Sequence, residues 1–248
     1  PQIVKEKHVE ISQFTLKDII RQTVFSISDN ENTKVMTGEL FEITANKLKV
    51  VSLDGHRISI RNVELNNSYD NISVIIPGKT LIEINKILNG GVDDIVKIYF
   101  TDKHILFEFE STVVLSRLIE GECYKIDKML SSDYETKITV NKKEMLDSID
   151  RTTLLMKEAE KKPVIIDIKD NSMGLAMNSS IGSMDEEIDA VKEGKDILIG
   201  FNPRFLIDAL RVIDDEEITL YMINPKAPCF IRDKDESYIY LILPVNFN

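Results

Sequence analysis

The chain of 248 residues is 43% hydrophobic and 29% charged, a composition typical of one large or two ordinary globular domains. It has no apolar run near the roughly 18 residues that a membrane span needs and no signal-peptide pattern at its start, so we expect a cytoplasmic protein with no membrane partner. The formal net charge of −11 argues against attraction of the whole surface to nucleic acid, and a DNA contact would require a local patch of Lys and Arg.

The first half of the chain alternates between strands and two amphipathic helices. We predict the helices at residues 14–25 and 77–88, the second one ended by Asn89-Gly90-Gly91. Asp54-Gly55 between two apolar runs predicts a hairpin turn, and Asn66-Asn67-Ser68 predicts a loop. The predicted strands are 9–11, 35–43, 47–53, 57–65, 72–76, 95–101, 104–110 and 112–119.

The second half of the chain repeats this order of elements. We predict helices at residues 141–156 and 203–213, with Asn202 as the N-cap of the latter and Pro203 at its first position. The predicted strands are 137–140, 164–168, 174–178, 186–191, 197–200, 218–223, 227–232 and 238–245, and residues 157–163 form a charged loop.

A repeat of this length indicates duplicated domains rather than a solenoid. At a shift of 125 residues Leu81 falls on Leu206. At a shift of 126 residues Ile19 falls on Met145. We therefore predict an α+β fold of two like domains, residues 1–128 and 129–248, each with antiparallel sheets and two helices lining a concave face.

Basic residues recur at matched positions on the predicted helices. Lys79 and Lys86 are seven residues apart, on the face opposite Leu81, and Arg204 and Arg211 repeat that spacing. Because acidic residues are interspersed, each stripe alone is equally compatible with an ordinary solvated face. Their recurrence favours one shared surface, and the candidate DNA-facing residues are Lys17, Arg21, Lys79, Lys86, Lys143, Arg151, Arg204 and Arg211.

No catalytic or metal-binding motif stands out in the sequence. Gly78-Lys79-Thr80 lacks the upstream glycine of a phosphate-binding loop. Cys123 and Cys229 are too far apart for a zinc motif, and we expect both to be small buried apolar residues. The acidic run at residues 214–217 leaves open a metal-assisted enzyme as the alternative function. We predict no cofactor and no resident metal.

Four short motifs, in their order and spacing, resemble the bacterial DNA polymerase III beta subunits, the replicative sliding clamps. The motifs are Leu53-Asp54-Gly55-His56-Arg57-Ile58, Leu118-Ile119-Glu120-Gly121, Gly200-Phe201-Asn202-Pro203 and Leu243-Pro244-Val245. The likeness covers the last two of that family's three domains. It implies a DNA-clamp fold and a non-enzymatic processivity factor, whose ring of two subunits encircles duplex DNA without reading its sequence.

The absence of an initial Met suggests a fragment, with residues 1–4 at the position of an interdomain linker. Because ring closure in the family uses the first domain, we expect this part of the chain to be monomeric, whereas the full-length protein is expected to form a homodimeric ring.

The resemblance also implies a groove between the two domains that binds short linear motifs. The expected partners are the DNA polymerase III alpha subunit, the clamp loader delta subunit and repair polymerases. Carried over by position, the groove residues are Met36, Leu53, Gly55, His56, Arg57, Ile58, Lys128, Met129, Asn202, Phe205, Pro228, Leu241, Ile242, Leu243, Pro244, Val245 and Asn246.

Three positions depart from the family pattern. Tyr124 stands where a proline is usual, and Lys128 and Asn246 stand where arginines are frequent. Without the resemblance, the residues by themselves favour reading His56 and Arg57 as polar residues satisfied at a strand end.

Overall fold

The structure of the protein is a computed structural model that describes residues 7–122, 124, 126–130, 133–155 and 162–247. The chain divides into two compact units, Pro1–Asp127 and Lys128–Asn248. Each unit combines antiparallel sheet with two α-helices, which confirms the predicted α+β class. Some sequence predictions concern residues outside the described ranges, namely Cys123, the linker at 1–4 and residues 156–161. Within the described ranges, no helix has both the length and the apolar character to cross a membrane.

The first unit holds six strands and two α-helices among its described residues. The helices are α1 (Gln13–Thr23) and α2 (Gly78–Ile87), and 3-10 helices occupy Val24–Ser26 and Glu31–Thr37. The strands are β1 (Val9–Ser12), β2 (Gly38–Leu53), β3 (Arg57–Pro77), β4 (Ile95–Phe100), β5 (His104–Phe109) and β6 (Thr112–Arg117). One antiparallel sheet has the order β1-β4-β5-β6, and the long β2 and β3 pair as a hairpin.

The second unit is built from eight strands and two α-helices in its described part. The helices are α3 (Lys142–Thr153) and α4 (Pro203–Val212). The strands are β7 (Thr136–Asn141), β8 (Val164–Lys169), β9 (Ser172–Asn178), β10 (Ser183–Gly194), β11 (Ile197–Phe201), β12 (Glu217–Met222), β13 (Cys229–Arg232) and β14 (Tyr238–Ile242). Their hydrogen-bonded order is β11-β8-β9-β10-β7-β12-β13-β14, and every pairing is antiparallel.

Capping side chains set where three of the helices begin. Ser12 and Asn141 each accept a hydrogen bond from the backbone amide three residues later, at 3.0 Å. The Asn202 side chain accepts one from the amide of Arg204 at 3.0 Å, as the predicted N-cap requires. Each capping contact satisfies a backbone donor that the helix itself leaves without a partner.

The repeat between the units has two registers. α2 and α4 correspond at the predicted shift of 125 residues, at both ends of the helix. The predicted shift of 126 for α1 and α3 is wrong, because their N-caps Ser12 and Asn141 are 129 residues apart. At that shift Thr23 falls on Thr152, and both are fully buried at 0% exposure. Matching Ile19 to Met145 by apolar character alone therefore placed the helices three residues out of phase.

The central part of the β2–β3 hairpin differs from the prediction. Ala45 has a positive φ of 55° beside two register shifts, so the two strands predicted here continue as one, β2, through a bulge. Asn66-Asn67-Ser68, predicted as a loop, lies within β3. The residues between Glu64 and Tyr69 of β3 face the single residue Asn46 of β2, which explains the turn-like composition at this point.

The bounds of further elements also differ. The strand predicted at 35–43 begins at Gly38, and Val35 and Met36 lie in the 3-10 helix Glu31–Thr37. α3 ends at Thr153 rather than at residue 156. β14 ends at Ile242 rather than at residue 245, two residues before Pro244, which has no amide hydrogen to extend the ladder.

Both helices of the first unit bury one face in its core. Leu16, Ile20, Leu81 and Ile84 are each fully buried and belong to one cluster with strand residues from both sheets. Burial of each such side chain contributes roughly 2 kcal/mol before entropy is counted. The opposite face is exposed along α2 and mostly half-buried along α1.

Candidate functional site

The Asp54-Gly55 turn predicted between β2 and β3 is confirmed. Gly55 has a φ of 89°, a conformation that favours glycine. The Asp54 carboxylate accepts hydrogen bonds from the backbone amides of His56 at 2.9 Å and Arg57 at 3.2 Å. This turn, which the Asp54 carboxylate closes, fixes the direction in which the His56 and Arg57 side chains leave the backbone.

Arg57 points into the first unit. Its side chain is 9% exposed, and its Nε donates to Asp54 Oδ2 at 3.0 Å. One terminal nitrogen donates to the carbonyl oxygen of Phe25 at 2.8 Å, and the guanidinium lies 5.5 Å from the centre of the Phe25 ring. Arg57 therefore braces the hairpin end against the segment that follows α1.

The other candidate groove residues of the first unit range from exposed to buried. His56 is exposed, Met36 and Leu53 are half-buried, and Ile58 is buried at 4% exposure. The accessible part of this group therefore consists of an imidazole beside apolar side chains. That combination suits an apolar peptide anchor with a polar edge.

A buried polar cluster under the hairpin was not predicted from the sequence. The Ser26 and Ser59 hydroxyls are 2.7 Å apart, and Ser52 Oγ donates to the Thr23 carbonyl at 2.5 Å. Glu39 is fully buried, and burial raises the pKa of its carboxyl group to about 8, against a smaller opposing effect of the Thr23 hydroxyl. Only the isolated Glu39 in an apolar strand pattern could have indicated this cluster.

Thr23 lies between Glu39 and the backbone of α1. Thr23 Oγ1 donates to the Ile19 carbonyl oxygen at 2.7 Å and to Glu39 Oε2 at 2.9 Å. The hydroxyl has one proton, so the two acceptors share it. This shared hydrogen bond offsets only part of the effect of burial, and with a pKa of about 8 the carboxyl group is mostly protonated at pH 7.

In the second unit, the start of α4 lies against the end of the chain. The Tyr240 hydroxyl donates to the Phe205 carbonyl oxygen at 2.8 Å. The Val245 amide donates to the Gly200 carbonyl oxygen at 2.9 Å. The two contacts involve residues on either side of the candidate residue Asn202. They hold this part of the chain against β14 and the segment that follows it.

The candidate groove residues of the second unit differ in exposure. Leu241 and Ile242 are buried, at 1% and 0% exposure. Val245 and Asn246 are exposed. The half-buried members of the group are Asn202, Phe205, Pro228, Leu243 and Pro244.

The remaining candidate groove residues lie in the 3-10 helix Ile126–Met129. Met129 is 48% exposed, as is Tyr124 just before the helix. The Lys128 side chain is not among the side chains that the structure describes.

The candidate DNA-facing side chains are mostly paired with acids of their own unit. Lys17 instead donates to the Leu88 carbonyl oxygen at 2.9 Å. In the part of the chain that the structure describes, Arg204 is exposed and forms no ion pair. The ion pairs are Arg21–Asp18 at 2.5 Å, Lys79–Glu31 at 3.9 Å, Lys86–Glu83 at 2.7 Å, Lys143–Asp147 at 2.5 Å, Arg151–Glu186 at 2.5 Å and Arg211–Asp150 at 3.2 Å.

This pairing keeps the net positive charge of the helix faces low. The hydrogen bond from Arg151 holds the pKa of Glu186 below its usual range, so this acid stays ionised beside its partner. Arg211 and Arg204 are both exposed at positions equivalent to Lys86 and Lys79. A phosphate approaching the paired side chains, such as Arg211, must compete with carboxylates already bound to them.

The acidic run at residues 214–217 does not form a ligand set. Asp215 accepts a hydrogen bond from the Lys234 amide at 2.8 Å. Among the described residues, no group of three or more His, Cys, Asp or Glu side chains is arranged to hold a metal ion. Cys229 is buried as predicted, and burial raises the pKa of its thiol, which makes it unreactive.

Two family models match the chain consecutively. The model described as "DNA polymerase III beta subunit, central domain" matches residues 10–124, and that of the C-terminal domain matches residues 127–246. The chain belongs to the DNA polymerase III beta subunit family. The resemblance carried by the four short motifs is thereby confirmed.

Individual relatives agree with this family. The beta sliding clamp of Staphylococcus aureus is 34% identical over 99% of the chain, which spans 66% of that protein's length. The sliding clamp structure from Bacillus subtilis has a TM-score of 0.96 at 34% identity. The match covers 100% of this chain and 66% of the Bacillus subtilis chain. A structure from Eubacterium rectale, described as a DNA polymerase III beta subunit, has a TM-score of 0.98 at 64% identity. The match covers 100% of this chain and 67% of the Eubacterium rectale chain.

The beta-subunit assignment divides the candidate residues between two family domains. The hairpin residues from Leu53 to Ile58 fall in the central domain, and those from Asn202 to Asn246 fall in the C-terminal domain. The basic helix residues fall in both. Each set of candidate residues therefore lies within a segment that the family models match.

Proposed function

We propose that the chain is part of a cytoplasmic DNA sliding clamp, a non-catalytic processivity factor that holds replication proteins on duplex DNA. The observation that carries this proposal is the consecutive match of two beta-subunit domains over nearly the whole chain. In the full-length protein, two copies would form a ring around DNA. The chain contributes a peptide-binding surface and a set of basic helix faces to that assembly.

Each unit supplies candidate residues for peptide binding. Half-buried Leu243, Leu53 and Met36 supply apolar surface that a peptide side chain could cover. Exposed His56 and the Asn202 amide supply polar contacts that orient the peptide. The proposed partners are the polymerase III alpha subunit, the clamp loader delta subunit and repair polymerases, each bound through a short linear motif.

Leu243→Ala is expected to weaken peptide binding about thirtyfold, since truncating an apolar anchor typically costs ~2 kcal/mol. The measurement is fluorescence polarisation with a labelled peptide carrying the clamp-binding segment of a polymerase III alpha subunit. Leu154→Ala is the control, because Leu154 is 77% exposed and outside the proposed site. Equal affinities of the wild type and a folded Leu243→Ala variant would contradict the proposed site.

The proposed DNA surface acts through phosphates and reads no bases. With six of the eight candidate side chains held by acids, binding should be weak and easily lost with salt. Arg204, which forms no ion pair among the described residues, should contribute most per residue.

Arg204→Ala is expected to lower the slope of log affinity against log salt by about 0.9 on duplex DNA. The measurement is a salt titration of DNA binding by fluorescence anisotropy at low ionic strength. Lys169→Ala is the control, because Lys169 lies at the end of β8 and pairs with Asp167. A slope that fell equally in both variants, or binding that discriminated between DNA sequences, would count against this surface.

A further inference from the structure

Gly200 lies directly beneath the segment that follows β14. It is a buried residue of β11, and its carbonyl oxygen accepts the Val245 amide at 2.9 Å. A Cβ atom on residue 200 would lie 2.5 Å from Cδ1 and 3.2 Å from Cε1 of Phe247, and 3.0 Å from the Val245 oxygen. Carbon atoms do not approach to 2.5 Å, so the Phe247 ring occupies the space that only a glycine leaves open.

This contact holds a segment that has little other backbone support. β14 ends at Ile242, and Pro244 has no amide hydrogen to donate. In the described part of the chain, the bond from Val245 to Gly200 is the one backbone hydrogen bond donated by residues 243–247. The half-buried Phe247 ring thus anchors the far end of a segment whose near end is fixed by β14.

We propose that Gly200 and Phe247 form a latch that positions the segment 243–246 for peptide binding. This inference rests on the proposed function, because that segment carries four of the candidate groove residues. Phe247 is a positioning residue in this scheme and need not touch the peptide. Holding the segment in place before binding removes an ordering cost that would otherwise be subtracted from the affinity.

The latch predicts that the two positions are coupled. Gly200→Ala is expected to push the Phe247 ring away and weaken peptide binding about tenfold, and Phe247→Ala is expected to do the same. The combined effect in the double variant should be well below the sum of the two single effects, because the ring that the added methyl group would displace is already gone and only the 3.0 Å approach to the Val245 oxygen remains. Additive effects of the two substitutions would contradict the latch.

Gly174→Ala is the matched control in the same unit. A Cβ atom on residue 174 would lie 3.6 Å from the Asp167 oxygen and 3.7 Å from its Cβ, at ordinary contact distance. This variant is expected to bind the peptide like the wild type. A general effect of adding a methyl group to the sheet is thereby separated from the specific effect at Gly200.

A second measurement needs no peptide. Hydrogen exchange at the Val245 amide of the free protein should be about tenfold faster in Gly200→Ala and Phe247→Ala and unchanged in Gly174→Ala. If Leu243→Ala weakens binding while Phe247→Ala alters neither affinity nor exchange, the latch is wrong and the peptide site stands. If the wild type binds no clamp-binding peptide, the proposed function fails, and the positioning role fails with it.

Discussion

Glu39→Gln is expected to raise the free energy of unfolding by roughly 3 kcal/mol at pH 7. The folded protein keeps Glu39 protonated, with a pKa of about 8, whereas the usual value is 4.5. The stability contributed by the neutral acid is therefore fully present below pH 4.5 and is lost as the pH rises toward 8. Gln keeps the shape of the neutral acid and an oxygen that accepts the hydrogen bond from Thr23, and it loses no proton on unfolding.

The test is urea unfolding of the wild type and the variant between pH 5 and pH 8, followed by circular dichroism. The difference between the two free energies should grow by about 1.4 kcal/mol per pH unit. Glu42→Gln on the same strand is the control, because Glu42 is partly exposed and pairs with Lys49 at 3.2 Å. Parallel pH curves for the wild type and Glu39→Gln would show that Glu39 is not a buried neutral acid.

Arg57→Ala is expected to lower the free energy of unfolding by about 3 kcal/mol. The side chains of Arg57 and Asp54 are 9% and 14% exposed, so removing the guanidinium leaves a largely buried carboxylate without its ion-pair partner. The Phe25 carbonyl oxygen loses a donor at the same time. Any loss of peptide affinity in this variant would then arise through the hairpin's position.

The adjacent His56 gives the matched comparison. Because the His56 side chain is exposed, His56→Ala should change stability by less than about 0.5 kcal/mol while weakening peptide binding. Thermal unfolding and peptide binding measured on both variants separate the two roles. Equal stability of the Arg57→Ala and His56→Ala variants would contradict a structural role for Arg57.

Local signals were sufficient for the elements that the chain specifies by itself. The Asp54-Gly55 turn and the Asn202 cap with Pro203 depend on side chains that contact their own backbone within three residues. The matched basic residues of α2 and α4 follow from helical spacing alone. Each was therefore predictable before any tertiary contact was known.

Features that depend on distant partners were not predictable. Arg57 turns inward because a carbonyl oxygen 32 residues earlier in the chain accepts its hydrogen bond. Glu39 is neutral because the fold buries it completely, which raises the pKa of its carboxyl group. Asn66 lies in a strand because it is one of the extra residues of β3 that bulge opposite Asn46 of β2. No nearby sequence position carries information about these partners.

If the proposed DNA surface is correct, the pairing of helix cations with acids of the same unit has a consequence for motion along DNA. A phosphate that takes the place of a carboxylate such as Asp147 or Glu83 would exchange one exposed ion pair for another of similar strength. The energy would then change little as one phosphate leaves and the next arrives. We therefore expect such a surface to have a smooth energy profile along the duplex and to move with low friction while remaining attracted to it.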